Sequence, residues 1–201
     1  MKEKIIAKAS DLFLKLGFKS ITMDDIASEM CISKKTIYKF FANKEVLIEE
    51  TTAAVHEQVY ESIHKITLLN LNAIEENFVI KKMFKELFNS AEASPIFQLR
   101  KHYPEIYEKV MAREIKECNL MFIQNIKKGV EQGFYRENIN FVTVAKFYYT
   151  LIFNIYDTDV SEEEAKTIEY EALEYHIRAI ATPAGIAELE NQLEKFNHQS
   201  I

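Results

Sequence analysis

This chain has very few residues that make turns. Four glycines and three prolines are seven of its 201 residues, against roughly 12% in average proteins. A fold of many hairpins needs such residues at every turn, whereas long helices joined by few breaks do not. Gly17 and Gly133 each follow a periodic apolar run, as helix-ending glycines do. Pro95, Pro104 and Pro183 stand where a helix would restart, because proline is tolerated in a first turn. The expected fold class is therefore all-α.

The apolar spacing gives the helices. Ile5, Ala9, Leu12 and Leu16 mark a first helix over about residues 2–15. Thr22, with Asp25 three residues on, caps a short second one. Its inward residues are Ile26, Ala27 and Met30. Cys31-Ile32 makes a turn, and Ser33 opens a third helix with Ile37, Phe40 and Phe41 as its apolar positions. Asn43 caps a long fourth helix over about residues 44–66. After a break at 68–72 come a fifth helix through Phe78 and Leu87, a short sixth capped by Ser94, and a seventh from Pro104 towards Gly133. Asn140 starts an eighth, Ser161-x-x-Glu164 a ninth, and Thr182-Pro183 a tenth.

The eighth helix has an unusually wide apolar face. Thr143, Lys146, Thr150, Asn154 and Asp157 fall within an arc of roughly 80° at 100° per residue. The residues between them, including Tyr156, are apolar. Such a helix needs cover on two sides. The ninth helix is similarly broad. Side by side and doubled by symmetry, the two would form a four-helix interface. The expected homodimer residues are Phe147, Leu151, Ile155, Leu173, Ile177 and Ile180. A thick core within one chain is the competing reading.

Function is carried by residues 22–41, two short helices joined by a tight turn. In a helix-turn-helix unit the second helix enters the major groove of double-stranded DNA. Here Ile37 and Phe41 must face inward. Ser33, Lys34, Lys35, Thr36, Tyr38 and Lys39 are left outward, with no acid among them. Lysines pair with phosphates, and threonine can bond base edges or touch a thymine methyl. Lys44 lies near the expected DNA backbone, and Thr22 with its helix amides can hold another phosphate.

Residues 9–47 resemble the DNA-binding domain of TetR-type transcriptional repressors. The matching elements are Ala9, Leu12-Phe13, Gly17-Phe18, Thr22-Met23, Ile26-Ala27, Ile32-Ser33, Thr36-Ile37-Tyr38, Phe41, Lys44-Glu45 and Leu47. The resemblance implies an N-terminal three-helix domain, here 1–47, and a C-terminal helical domain for effector binding and dimerisation, here 48–201. It places Thr22, Ser33, Lys35, Thr36, Tyr38, Lys39 and Lys44 against DNA. It also implies a repressor released from a palindromic operator by a small-molecule effector. Three positions depart from the family. Cys31 and Lys35 stand where glycine is frequent, and Phe40 replaces the usual His or Tyr. If position 31 needs φ > 0, a side chain there costs about 1 kcal/mol.

The expected effector is lipophilic or aromatic, bounded by Phe84, Phe88, Phe97, His102, Tyr103, Met111, Phe122 and Tyr148. An aromatic stripe of this kind is more often plain core. Cys31 and Cys118 form no disulfide framework or metal set. Cys31 reads as a buried structural thiol and Cys118 as core. The alternatives to a regulator are a helical di-iron carboxylate enzyme and a helical adaptor. The enzyme needs paired Glu-x-x-His motifs, and only Glu61-x-x-His64 is present. The chain is expected to be no enzyme and to use no cofactor or metal. With no signal peptide and no apolar run of 18 residues, it is expected to be cytoplasmic, without membrane contact. The net charge of −6 seems to oppose DNA binding, but residues 1–47 hold nine lysines against six acids. The acidity belongs to the rest of the chain.

Overall fold

The structure is a computed structural model that describes residues 1–88, 95–155 and 161–198. The expected cap Ser94, and Tyr156 and Asp157 of the eighth helix, lie outside the described residues. Among the described residues ten helices follow one another: α1 Lys2–Leu16, α2 Met23–Glu29, α3 Lys34–Tyr38, α4 Lys44–Thr67, α5 Ala73–Phe88, α6 Pro95–His102, α7 Pro104–Glu131, α8 Phe141–Ile155, α9 Glu162–Ile180 and α10 Pro183–His198.

Side chains set the helix starts by accepting amide protons that no helical carbonyl can reach. Asn43 Oδ1 accepts the Val46 N–H at 2.8 Å, Asn140 Oδ1 that of Thr143 at 3.0 Å, and Ser161 Oγ that of Glu164 at 3.2 Å. Thr182 Oγ1 accepts the Gly185 N–H at 3.2 Å, just before Pro183. Each such cap contributes about 1 kcal/mol. At the end of α7, Gly133 stands at φ 76°, the Phe134 N–H reaches Gly129 O, and the Gly133 N–H reaches Val130 O. That paired pattern is a Schellman motif, in which the left-handed residue favours glycine.

The chain forms two compact units, Met1–Ser62 with Glu86–Ala112, and Ile63–Lys85 with Arg113–Ile201. The sequence reading put its single cut after residue 47; the first compact unit takes in most of α4, and α6 and the start of α7 return to it. The cause is burial: Leu99 and Ile106 sit in one apolar cluster with Ile5, Phe13, Ile26, Ile37, Phe41 and Leu47. A cut based on periodicity does not see a partner 50 residues away.

The second unit is organised around Ile74, Phe78, Ile126, Tyr148, Leu173 and Ile177. Its buried acid, Glu76, is paired: the Lys128 ammonium lies 2.6 Å from one oxygen and the Asn125 amide donates to the other at 2.8 Å. Gly129 packs against Tyr135, whose ring carbons lie 2.1 Å and 2.4 Å from where a Cβ would stand. The Tyr148 ring stacks on His176 at 4.3 Å and meets Phe122 edge to face at 4.9 Å.

Of the residues expected at a dimer surface, Ile155, Leu173, Ile177 and Ile180 are buried within their own chain. Only Phe147, 66% exposed, and Leu151, 42% exposed, present apolar surface among the six. Tyr175, 68% exposed on α9, joins them as an exposed ring that the sequence reading did not select.

Two outcomes test this packing. Gly129→Ala should destabilise the protein by about 1–3 kcal/mol in urea unfolding, although alanine is the better helix former, because the added methyl overlaps Tyr135. His176 gives a pH signature. Burial lowers its pKa from 6.5 to about 4, so the unfolded imidazole takes up its proton first as pH falls. Its contribution to stability is complete above pH 6.5 and drains away towards pH 4, by up to about 3 kcal/mol. His176→Phe, which keeps a flat ring against Tyr148, should flatten that part of the stability–pH curve. Parallel curves for the two proteins would contradict the assignment.

Candidate nucleic-acid interface

The first unit is built so that α3 has one direction available. Ile37 and Phe41 are fully buried, one helical turn apart. Ser33, Lys34, Lys35, Tyr38 and Lys39 are exposed and Thr36 is half-buried. Phe40 corrects the expectation of an inward ring. It is 40% exposed: the Phe41 N–H bond to Ile37 O at 3.1 Å keeps Phe41 one turn above Ile37 on the inward side, and Phe40 stands at the edge of that face.

Local hydrogen bonds set both short helices. The Thr22 hydroxyl accepts the Asp25 N–H at 3.2 Å, and Asp25 accepts the Thr22 N–H at 2.8 Å, which completes a capping box. The Thr22 hydroxyl also donates to Asp25 at 2.7 Å, so its proton is already committed. These bonds hold the Asp25 carboxyl below its usual pKa. Ser33 accepts the Thr36 N–H at 3.2 Å, and the two hydroxyls lie 2.8 Å apart.

The turn between the helices is a second Schellman motif. The Ile32 N–H reaches Ala27 O and the Cys31 N–H reaches Ser28 O, each at 3.0 Å. Cys31 occupies the left-handed position at φ 53°. The expected cost of a side chain at φ > 0 applies here. The thiol is exposed, which corrects the reading of Cys31 as buried; a residue at the tip of this turn has no core to enter. Cys118 is half-buried rather than core, with its sulfur 4.0 Å from a Glu114 carboxylate oxygen.

The lysines differ in what they already hold. The Lys34 ammonium lies 2.7 Å from Asp24 and 5.9 Å from the centre of the Tyr38 ring. Its bond to Asp24 raises its pKa above the ordinary value. Lys44 donates to Lys19 O at 3.3 Å. Among the described residues, no ion pair or hydrogen bond engages the side chain of Lys35 or Lys39.

The effector candidates divide between the two units. Phe88, Phe97, His102, Tyr103 and Met111 belong to the first, and Phe84, Phe122 and Tyr148 to the second. Tyr103 packs against the helix-turn-helix core. None of the eight lines a cleft of about 470 Å³ in the first unit, bounded by Ile6, Ala7, Leu14, Val55 and Leu87. The spacing of Ile6, Ser10 and Leu14 on a second face of α1 was the available signal for it. Glu61 and His64 are both exposed on α4, not on the inward face that a di-iron site requires. Among the described residues no three His, Cys, Asp or Glu come together as a metal set, and no helix is long and apolar enough to cross a membrane.

A buried α1–α2–α3 core with an outward lysine helix defines a helix-turn-helix protein. Residues 5–51 match the family described as bacterial regulatory proteins, tetR family. Among curated relatives, the biofilm operon icaADBC negative transcriptional regulator IcaR of Staphylococcus aureus is 29% identical over 107 residues, 53% of this chain and 52% of IcaR. The match thus spans about half the length of that relative. YdeS of Bacillus subtilis, an uncharacterized HTH-type transcriptional regulator, is 26% identical over 163 residues, 74% of each chain. A transcriptional regulator from Cytophaga hutchinsonii superposes with TM-score 0.73 at 19% identity, covering 90% of this chain and 98% of that one. SmeT of Stenotrophomonas maltophilia, the repressor of the SmeDEF multidrug efflux pump, superposes with TM-score 0.64 at 16% identity over 91% of each chain. The fold is the one these regulators share.

The turn can be tested without DNA. Cys31→Gly should raise the urea midpoint by the equivalent of about 0.5–1 kcal/mol, because glycine adopts φ > 0 without a Cβ clash. A lowered midpoint would mean that the cysteine side chain stabilises the turn by a contact of its own.

Proposed function

We propose that the chain is a transcriptional repressor that binds a palindromic operator as a homodimer and leaves it when a small lipophilic or aromatic effector binds. The observation that carries the DNA-binding part is α3. This short helix and the residues flanking it carry two buried anchors, Ile37 and Phe41, with two lysine side chains free of a protein partner and two hydroxyls on the outward side. In this reading Lys35 and Lys39 take phosphates, with Lys44 beside them. Ser33, Thr36 and Tyr38 face the base edges and sugars, and Lys34 joins when it exchanges Asp24 for a phosphate. Thr22 contributes by fixing the start of α2.

The repressor reading is supported by IcaR, a negative regulator, and by the SmeT repressor. The homodimer is supported by Phe147 and Leu151 on α8 with Tyr175 on α9, exposed apolar side chains on two neighbouring helices. Symmetry then places two copies of α3 in successive major grooves about 34 Å apart. The effector class is supported by the aromatic interior of the second unit around Phe122 and Tyr148.

The test is a footprint on the DNA immediately upstream of the protein's own coding sequence. Two protected half-sites about one helical turn apart are expected, with protection that weakens steeply as salt rises. Lys35→Ala should reduce the slope of log affinity against log salt by about one, the signature of one lost phosphate contact. No salt-sensitive retention, together with Lys35→Ala and Tyr38→Ala behaving as wild type, would sink the proposal.

A further inference from the structure

We infer that Gln98 and Tyr103, outside the segment that matches the family, are positioning residues for the DNA-backbone contacts of the helix-turn-helix domain. The inference rests on the DNA-binding reading above. It starts at the end of α1. Gly17 stands at φ 88°, and the place where its Cβ would be is filled by the Gln98 carboxamide, whose oxygen lies 2.5 Å from that point. The backbone angle calls for glycine, and its missing Cβ leaves the space that the Gln98 carboxamide occupies.

The approach lets Gln98 Oε1 accept the Phe18 N–H at 2.8 Å. From the other side the Tyr103 hydroxyl donates to Phe18 O at 3.4 Å, a longer and weaker contact. Both polar backbone groups of one loop residue are thus held by side chains 80 and 85 positions along the chain. The Phe18 ring is buried, 5.3 Å from Phe13, so the loop residue is fixed through ring and backbone together.

Lys19, the next residue, brings the arrangement to the DNA-facing side. Its carbonyl accepts from the Lys44 ammonium at 3.3 Å, and that ammonium lies 5.8 Å from the centre of the Tyr103 ring. The ring face attracts a cation. Lys44 is held by one of its three donors, which leaves two for a phosphate oxygen. A lysine already seated loses less rotamer freedom on binding than a free one. Tyr103 therefore acts at two points: its hydroxyl on the loop before α2, and its ring on the phosphate-binding lysine. Leu99 and Ile106 already anchor the same segment in the core, so the polar pair is not needed to keep α6 in place.

The experiment measures affinity for the upstream duplex across a salt series, with a thermal melt of each protein. Lys44→Ala should lower the salt slope by about one. Tyr103→Leu, which removes the ring, should lower it by a similar amount, and the double variant should lose no more than either single one. Tyr103→Phe, which keeps the ring, should keep the wild-type slope. Gln98→Leu leaves the Phe18 N–H without its acceptor and should weaken binding roughly three- to tenfold with the slope unchanged. If Tyr103→Leu melts early, Tyr103→Phe and Gln98→Leu carry the test, because both leave the ring packed. A wild-type slope in Tyr103→Leu, or losses that add in the double variant, would overturn the inference. So would unaltered affinity in Gln98→Leu. Wild-type protein that shows no salt-sensitive retention would instead overturn the DNA-binding reading itself.

Discussion

The burial of Ile37 and Phe41 is the constraint on which the rest of the DNA-binding unit depends. A helix of five residues has no stability of its own in water, because nucleation costs more than its few hydrogen bonds return. α3 exists because these two side chains are enclosed by Ile5, Phe13, Ile26 and Leu47. Once they are fixed, the helix cannot rotate, and the direction of Ser33, Lys35, Tyr38 and Lys39 is settled without any contact of their own. The outward residues are then free to differ among proteins that share the fold. This accounts for structural likeness at 12–19% identity among the regulators that resemble the chain.

The same end-of-helix geometry occurs twice with different residues. After α7 the left-handed position is Gly133, and after α2 it is Cys31, at φ 76° and φ 53°. Both satisfy two helix carbonyls with the next two amides. The first is free of side-chain strain; the second carries it at the joint between the two helices of the DNA-binding motif. Strain at such a position persists only where the surroundings over-determine the conformation. Here the capping box at Thr22, the Ser33 cap and the buried pair on α3 do so from both sides.

Most of the fold was legible in the sequence because caps, prolines and apolar spacing are local signals. Thr22, Ser33, Asn43, Asn140, Ser161 and Thr182 all accept the amide protons expected of them. Enclosure was less legible. Spacing says that Ile155, Leu173 and Ile177 share apolar faces with Phe147 and Leu151, but not which face the chain covers itself. Nor does it say that the segment around Leu99 and Ile106 returns to the first unit, or that the Gln98 carboxamide fills the space beside Gly17. Those facts come from contacts between residues far apart in sequence. The outward lysines of α3 were legible for the opposite reason, since two buried residues one turn apart leave only one exposed side.

Charge completes the account of how an acidic chain can present itself to DNA. The overall balance of −6 matters little at an interface, because charges beyond about 10 Å are screened at ordinary salt. What counts is the local set, and there the lysines are not equivalent. Lys34 is neutralised by Asp24, so its use on a phosphate requires an exchange of one carboxylate for another anion and adds little net attraction. Lys35 and Lys39 have no such competitor among the described residues, and Lys44 is oriented but not neutralised. On the proposed DNA-binding reading, one copy of the domain therefore brings about three effective cations to the backbone. With so few counterions released, non-specific affinity stays low. In the proposed dimer, stable occupancy comes from two copies acting on one duplex, which makes the spacing between them, rather than the strength of either, the quantity that controls binding.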